Sequence, residues 1–428
     1  MHVAFFNRSF YPDTAATGQL LTELCEGLVG AHGCRVSVVA GVPLLAANGD
    51  GARVRGLVER ERYRGIDILR ARGTRVSKRR FVGRFTNYVS YFLSASCAGL
   101  GLDRPDVVVA QTDPPIIGLA GLLAARRFDV PFVMAYKDIY PEAASLLEDF
   151  HSETVNRVLL GVNRFLVRKA DRVVALGETM RRMLIEGKGA HPAKTIVIPD
   201  WADCSAIVPG PKQNTFALAH GLGDKFVVMH SGNVGLSQGL EALVQAAEDL
   251  ARVDEIEIVF VGEGVKKRAL QDDVRGRGLR NVRFLPFQPK ERLHESFAAA
   301  DVFVVSLRAG MAGYIVPSKL YGILAAGRPY VAAVEEDSEV TAITRRYESG
   351  LLAEPGKPRD LADKILKLYF DRELARRLGE NARRAAADFD RPLAERLGAN
   401  ARRAALEFDR PLQVKAYYEL FRGLVAEC

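Results

Sequence analysis

The chain has 428 residues, 48% of them apolar and 26% charged, with a formal net charge of +8 at neutral pH. That length exceeds one ordinary domain and points to two, each able to build its own core. The composition is that of a globular protein and argues against a disordered or membrane-spanning one.

Five cysteines (Cys25, Cys34, Cys97, Cys204, Cys428) are odd in number and show no paired metal spacing. They are expected to be free thiols in a reducing cytoplasm. No basic stretch precedes the first apolar run, which argues against a signal peptide.

In chain order, strand-like runs lie at 3–6, 36–39, 66–69, 107–110, 132–135, 173–176 and 195–198, separated mostly by helix-like segments such as 18–29 and 115–126. The alternation predicts a parallel, doubly wound α/β sheet. Between Arg70 and Arg84 stand Arg70, Arg72, Arg75, Lys78, Arg79, Arg80 and Arg84, with no acid among them. Phe81, Phe85, Tyr88 and Phe92 are spaced to share one helical face. Bases beside an aromatic face suit an anionic membrane surface, at about 1 kcal/mol for each Lys or Arg. The same pattern fits aromatics packed inward beneath solvated bases. Nucleic acid is not expected, since no recognition motif accompanies the patch.

Pro199-Asp-Trp-Ala-Asp203 and the cluster at 209–214 read as a link between domains. A second alternation follows, with strands at 225–229, 257–261, 282–285, 302–305 and 330–334. Ligands bind at the carboxyl ends of strands in such sheets, and Gly18, Gly232, Gly262 and Gly310 each come after a strand. The tail holds a tandem duplication: 375–393 and 394–412 differ at only four positions. Two copies are too few for a solenoid, so the duplication reads as an inserted helical spacer.

The site is expected where Val302–Val305 gives way to a loop with Gly310 and Gly313, then to Pro317-Ser318-Lys319 ahead of an apolar stretch ending at Gly327. Pro suits a helix start and Gly its end. The first turn of a helix leaves amides without partners and adds partial positive charge, favouring phosphate. Lys319 can reach the same anion. An ordinary strand–loop–helix unit with a surface lysine has the same local pattern. A second glycine-rich loop follows the strand ending at His230 and includes Gly232, Asn233 and Gln238.

The stretches FYPDTAATGQLLTEL (10–24), DIYPE (138–142), HSGNVGLSQGLEAL (230–243) and PSKLYGILAAGRP (317–329) together resemble a family-4 glycosyltransferase of the GT-B architecture. The likeness is nearest to bacterial enzymes of capsule, O-antigen and colanic-acid-type assembly. It implies two doubly wound Rossmann-like domains facing across a cleft, with a helical C-terminal tail. The expected division is 1–203 for the acceptor-side domain, 204–370 for the nucleotide-sugar-binding domain, and 371–428 for a tail that returns to the first.

The resemblance also implies residue roles. Donor binding falls to Gly18, Gly232, Asn233, Gln238, Gly262, Glu263, Phe287, Pro317, Ser318 and Lys319, and acceptor binding to Lys137. Gln111, Thr112 and Asp113, just after the strand ending at Ala110, are expected at the acceptor from their place at a strand's carboxyl end. Asp138 and Lys319 are the expected catalytic residues, although Asp138 equally fits a turn cap. Many relatives carry Arg and Lys where this chain has Asn233 and Gln238. The family's two glutamates are replaced by Tyr314 and Gly322, so ribose binding is not assigned from that motif. No DxD motif sits at a strand-end loop, and neither metal nor cofactor is expected.

The implied reaction is retaining, metal-independent transfer of a sugar from a nucleoside diphosphate to a polyprenyl-diphosphate-linked saccharide. It would occur peripherally at the cytoplasmic membrane face, with residues 70–92 against the lipid. The alternatives are a sugar-nucleotide epimerase of the same architecture and a non-catalytic scaffold.

Overall fold

The computed structural model describes residues 1–13, 15–43, 56–74, 81–147, 152–387 and 408–427. The bases Arg75, Lys78, Arg79 and Arg80 lie outside the described residues, as do 388–407, which include most of the second tail copy. Contacts divide the chain into two units: residues 1–199 with 411–428, and residues 200–410.

Unit 1 is built on eight strands: β1 (His2–Phe6), β2 (Arg35–Gly41), β3 (Val58–Tyr63), β4 (Ile66–Ala71), β5 (Val107–Ala110), β6 (Phe132–Ala135), β7 (Arg172–Ala175) and β8 (Thr195–Val197). Their order in the sheet is β3-β4-β2-β1-β5-β6-β7-β8. All pairs are parallel except β3–β4. β1, β5 and β6 are buried along their whole length, because helices on both faces demand continuous apolar runs. The exception, β3, reads VERERY and is largely exposed. It hairpins onto β4 through Arg64 and Gly65, both at positive φ, as a right-twisted two-residue turn requires.

Unit 2 is a six-stranded, wholly parallel sheet. Its strands are β9 (Phe226–Ser231), β10 (Ile256–Val261), β11 (Val282–Leu285), β12 (Val302–Ser306), β13 (Tyr330–Ala333) and β14 (Gly350–Ala353). Their order is β11-β10-β9-β12-β13-β14. One core cluster joins Val228, Leu243, Phe260, Val304, Ile365 and Leu378, so the helix Arg372–Ala387 is part of this unit. The last helix, Arg410–Glu427, packs on unit 1, with Phe421 edge-on to Phe5 at 6.1 Å and His32 stacked on Tyr418 at 4.2 Å.

Each sheet reverses its strand order once, between β1 and β5 in unit 1 and between β9 and β12 in unit 2. Loops diverge there at the carboxyl ends, leaving a crevice where ligands bind in open α/β sheets.

Arg70 calls for a correction. It is 2% exposed and pairs with Glu61, while also donating to the carbonyls of Gly41 and Tyr11. It ties β4 to the loop after β1 and is not part of a solvated basic patch. Tyr91 is also internal, its hydroxyl donating to the Val39 carbonyl at 3.3 Å.

Candidate active site

The crevice of unit 2 is assembled by glycines. After β9, Gly232 turns the chain at φ 127°. After β10, Gly262 and Gly264 sit at φ 149° and 159°. A Cβ on Gly262 would stand 1.9 Å from the Gly232 carbonyl oxygen, and one on Gly264 would stand 2.2 Å from that of Val234. The two loops therefore meet backbone to backbone, which only glycine allows. The loop after β9 is also sewn to the one after β12. Ser306 Oγ donates to the Gln238 carbonyl at 2.6 Å, and the Arg308 amide donates to that of Ser237 at 2.8 Å.

Gln238 and Glu263, both assigned to donor binding from the sequence, are engaged within the scaffold. Gln238 is buried, and its Oε1 accepts the Gly235 amide at 3.0 Å. Glu263 is largely exposed and takes the Lys267 ammonium at 2.6 Å. Phe287, 42% exposed, lies beyond β11 at the far edge of the sheet. Glu335, just after β13, accepts the Ala312 amide at 3.0 Å and so holds the Gly310–Gly313 loop.

Lys319 opens the helix Lys319–Ala325. A Cβ placed on Gly232 would lie 3.6 Å from Lys319 Cε and 3.8 Å from Nζ, so the ammonium hangs over that glycine. Its nearest polar neighbour is His230 Nε2, at 3.1 Å. Among the described residues no carboxylate pairs with it, and burial alone drops its pKa from 10.5 to about 7. A half-buried cation with no carboxylate beside it loses part of its hydration, and an anionic ligand offsets that loss.

The amides at the start of this helix are in part already engaged. The helix has only seven residues. The Leu320 and Tyr321 amides already donate to the Pro317 and Ser318 carbonyls, each at 3.2 Å. The short helix has little dipole to offer, and the charge at the site is that of Lys319 itself. The helix is braced from behind by Arg383, whose Nη1 donates to the Ala325 carbonyl at 2.6 Å. Tyr321 packs against Phe408, ring centroids 5.0 Å apart. At Gly322 a Cβ would meet the Phe297 ring at 2.8 Å, so a glutamate there requires Phe297 to move.

The crevice of unit 1 gathers the other candidates. Thr112 Oγ1 accepts the amides of Lys137 and Asp138 at 3.2 and 3.3 Å, joining the loops after β5 and β6. Asp113 receives the Arg8 guanidinium at 3.0 Å and the Ser9 hydroxyl at 2.5 Å. Both its oxygens are therefore engaged within unit 1. Asn7 Oδ1 and Gln111 Oε1 are buried and lack partners among the described residues. Glu142 of the DIYPE stretch takes both its bonds from Lys188 Nζ, each at 2.7 Å, and the same ammonium donates to the Tyr140 carbonyl at 3.0 Å. Lys188 is 2% exposed and thus locks the loop that carries Lys137 and Asp138. Gly18 sits in the first turn of the helix Ala16–His32. A Cβ there would stand 3.3 Å from the Phe10 amide nitrogen, so the turn rests directly on backbone.

Arg8, Lys188 and His230 were not assigned roles from the sequence. Of these only His230 carried a signal, since it opens the glycine-rich motif. Among the described residues no group of three or more His, Cys, Asp or Glu side chains is placed to hold a metal.

With this geometry in hand, comparison with known proteins places the chain. The family described as "Glycosyl transferase 4-like domain" matches residues 16–201, and "Glycosyl transferases group 1" matches residues 214–385. The probable glycosyltransferase WbjE of Pseudomonas aeruginosa is 30% identical over 278 residues, 62% of this chain and 67% of that protein. The putative colanic acid biosynthesis glycosyl transferase WcaI of Escherichia coli K12 is 31% identical over 184 residues, 42% of this chain and 45% of that protein. Among solved structures, Anabaena Alr3699/HepE in complex with UDP-glucose superposes with a TM-score of 0.70 at 18% identity, covering 99% of this chain and 100% of its own. Two Rossmann-like sheets, both family matches and a relative at this identity agree: the chain belongs to the family-4 glycosyltransferases of the GT-B architecture.

Proposed function

We propose that the protein is a retaining, metal-independent glycosyltransferase. The donor is a nucleoside diphosphate sugar and the acceptor a polyprenyl-diphosphate-linked saccharide in surface polysaccharide synthesis. The observation that carries the donor half is the half-buried Lys319 ammonium over Gly232, with no carboxylate beside it among the described residues. A diphosphate supplies the missing counter-charge, and the glycines let it approach the backbone. The UDP-glucose bound to the Anabaena protein supports this class of donor, and the names WbjE and WcaI support the polysaccharide setting.

In the proposed reaction the bond between the anomeric carbon and the diphosphate oxygen breaks. The acceptor oxygen bonds to that carbon on the same face, and its proton passes to the departing diphosphate. Lys319 stabilises the charge that develops on the leaving group. Asp138 orients the acceptor hydroxyl, and the unpartnered oxygens of Asn7 and Gln111 mark the unit 1 crevice as suited to hydroxyl donors.

Docking to the cytoplasmic face of the membrane belongs to the same proposal. Leu93 and Leu100 on the helix Phe81–Leu100 are 58% and 42% exposed, which supports a lipid contact there. No helix among the described residues is long and apolar enough to cross a bilayer.

Thermal stabilisation by UDP-, GDP- and dTDP-sugars should single out one nucleotide. Nucleotide release should then require a lipid-diphosphate saccharide. Release of a new sugar nucleotide from donor alone would make the protein an epimerase instead. Lys319→Ala is expected to weaken donor binding by about 1.5–3 kcal/mol, the worth of a hydrogen bond to a charged group. Unchanged affinity by calorimetry removes Lys319 from the site.

A further inference from the structure

His230 lies in β9, one residue before its end, and is fully buried. Its Nε2 stands 3.1 Å from Lys319 Nζ and 3.4 Å from the Asn233 carbonyl oxygen. Its Nδ1 has no hydrogen-bond partner among the described residues. Burial first, and then the neighbouring Lys319 charge, hold the ring well below the usual histidine pKa. The imidazole is therefore neutral throughout the physiological range. An ammonium only donates, so when Lys319 is charged the Nε2 lone pair must accept from it. That puts the ring proton on Nδ1.

Beside burial, the charge that lowers the His230 pKa is that of Lys319. The lysine stem has four rotatable bonds and would otherwise be free to swing away. Among the described residues the polar atom that holds its tip is His230 Nε2, at 3.1 Å.

We propose that His230 is the positioning residue of the donor site, its Nε2 holding the Lys319 ammonium over Gly232 where a diphosphate arrives. The inference rests on the donor-binding reading above. His230 touches no reacting atom and acts only through Lys319. As a neutral acceptor in a buried setting it also helps Lys319 keep its proton.

The test compares His230→Phe, which keeps an aromatic ring and loses the acceptor, with His230→Gln, which restores an acceptor oxygen. Lysine labelled with 13C at Cε reports the Lys319 titration, assigned by its disappearance in Lys319→Arg. Calorimetry with UDP, GDP and dTDP at pH 6.5 and 8.5 reports binding. In His230→Phe the Lys319 midpoint should fall by about one pH unit, the scale of one lost hydrogen bond to a charged group. Nucleotide affinity should drop at least about fivefold, more at pH 8.5 than at 6.5, and His230→Gln should recover most of both.

A folded His230→Phe protein with the wild-type midpoint and affinity overturns the proposal. If the Phe variant does not fold, the decision passes to His230→Gln against His230→Leu. Equal midpoints and affinities in that pair overturn it as well. Wild-type protein that binds none of the three nucleotides overturns the donor reading itself, and a Lys319 midpoint that still moves with residue 230 shows that the His230–Lys319 link survives that failure.

Discussion

At the reversal of strand order in unit 1, Arg8 is answered by Asp113 and Lys188 by Glu142. Thr112 spends its oxygen on two backbone amides. At the corresponding reversal in unit 2, Lys319 has a neutral imidazole and, among the described residues, no carboxylate beside it. Both crevices are polar and both sit at the carboxyl ends of a parallel sheet. In the first, charges are matched internally and serve to hold loops. In the second, among the described residues, the half-buried Lys319 has no carboxylate beside it, and such a charge is what a ligand of opposite sign can use. Among the described residues the buried atoms of the unit 1 crevice without a hydrogen-bond partner are Asn7 Oδ1, Gln111 Oε1 and Arg8 Nε, and the two amide oxygens suit hydroxyl donors.

The contrast can be broken most forcefully through the glycines. Gly262→Ala would drive a methyl group into the Gly232 carbonyl in a backbone region that L-residues avoid. It should cost about 3 kcal/mol or more and abolish nucleotide binding. Urea unfolding with calorimetry checks both, and a stable, donor-competent variant would mean the two loops are not rigidly abutted.

A subtler test asks whether Lys319 is as uncompensated as it looks. Lys319→Met removes a half-buried charge and should raise stability by about 1 kcal/mol at pH 6 while donor binding is lost. The sign follows from the titration. The folded pKa of about 7 lies below the unfolded value, so the folded state sheds its proton first as pH rises. The cost of burying the ammonium is full below pH 7 and fades between 7 and about 10.5. The gain from Met should fade over the same window. A gain that is absent at pH 6, or independent of pH, would show that a counter-charge is already present.

The smallest effect is expected in unit 1. Asp113→Asn keeps acceptor capacity toward Ser9 and Arg8 and gives up only the charge of a partly exposed ion pair. It should cost about 0.5–1 kcal/mol in urea unfolding and leave donor affinity unchanged. A large loss of donor affinity would contradict the division of labour between the crevices.

The parallel strands were legible because a strand covered on both faces must be apolar along its length. VVVA at β5 and VFVVS at β12 can hardly be anything else. β3 was not legible, since an exposed edge strand reading VERERY carries no apolar signal, and β14 is only four residues of GLLA. The glycine loops and Lys319 were legible as motifs, because backbone that must approach backbone leaves a glycine in the chain. The employment of Gln238, Glu263 and Asp113 was not. Each reads as a ligand contact in the sequence and is occupied by a neighbour in the structure. Those neighbours are often distant in the chain, as with Arg8 and Asp113, and side-chain pairing at that separation leaves no periodicity to read.

By itself the sequence determined two doubly wound sheets and the loops that form their crevices, since burial on both faces and positive φ restrict which residues are allowed. Tertiary structure alone decided which polar groups would be consumed in holding the scaffold and which left unmatched. Charge compensation depends on distances of 3–4 Å between residues far apart in the chain, and folding sets those distances.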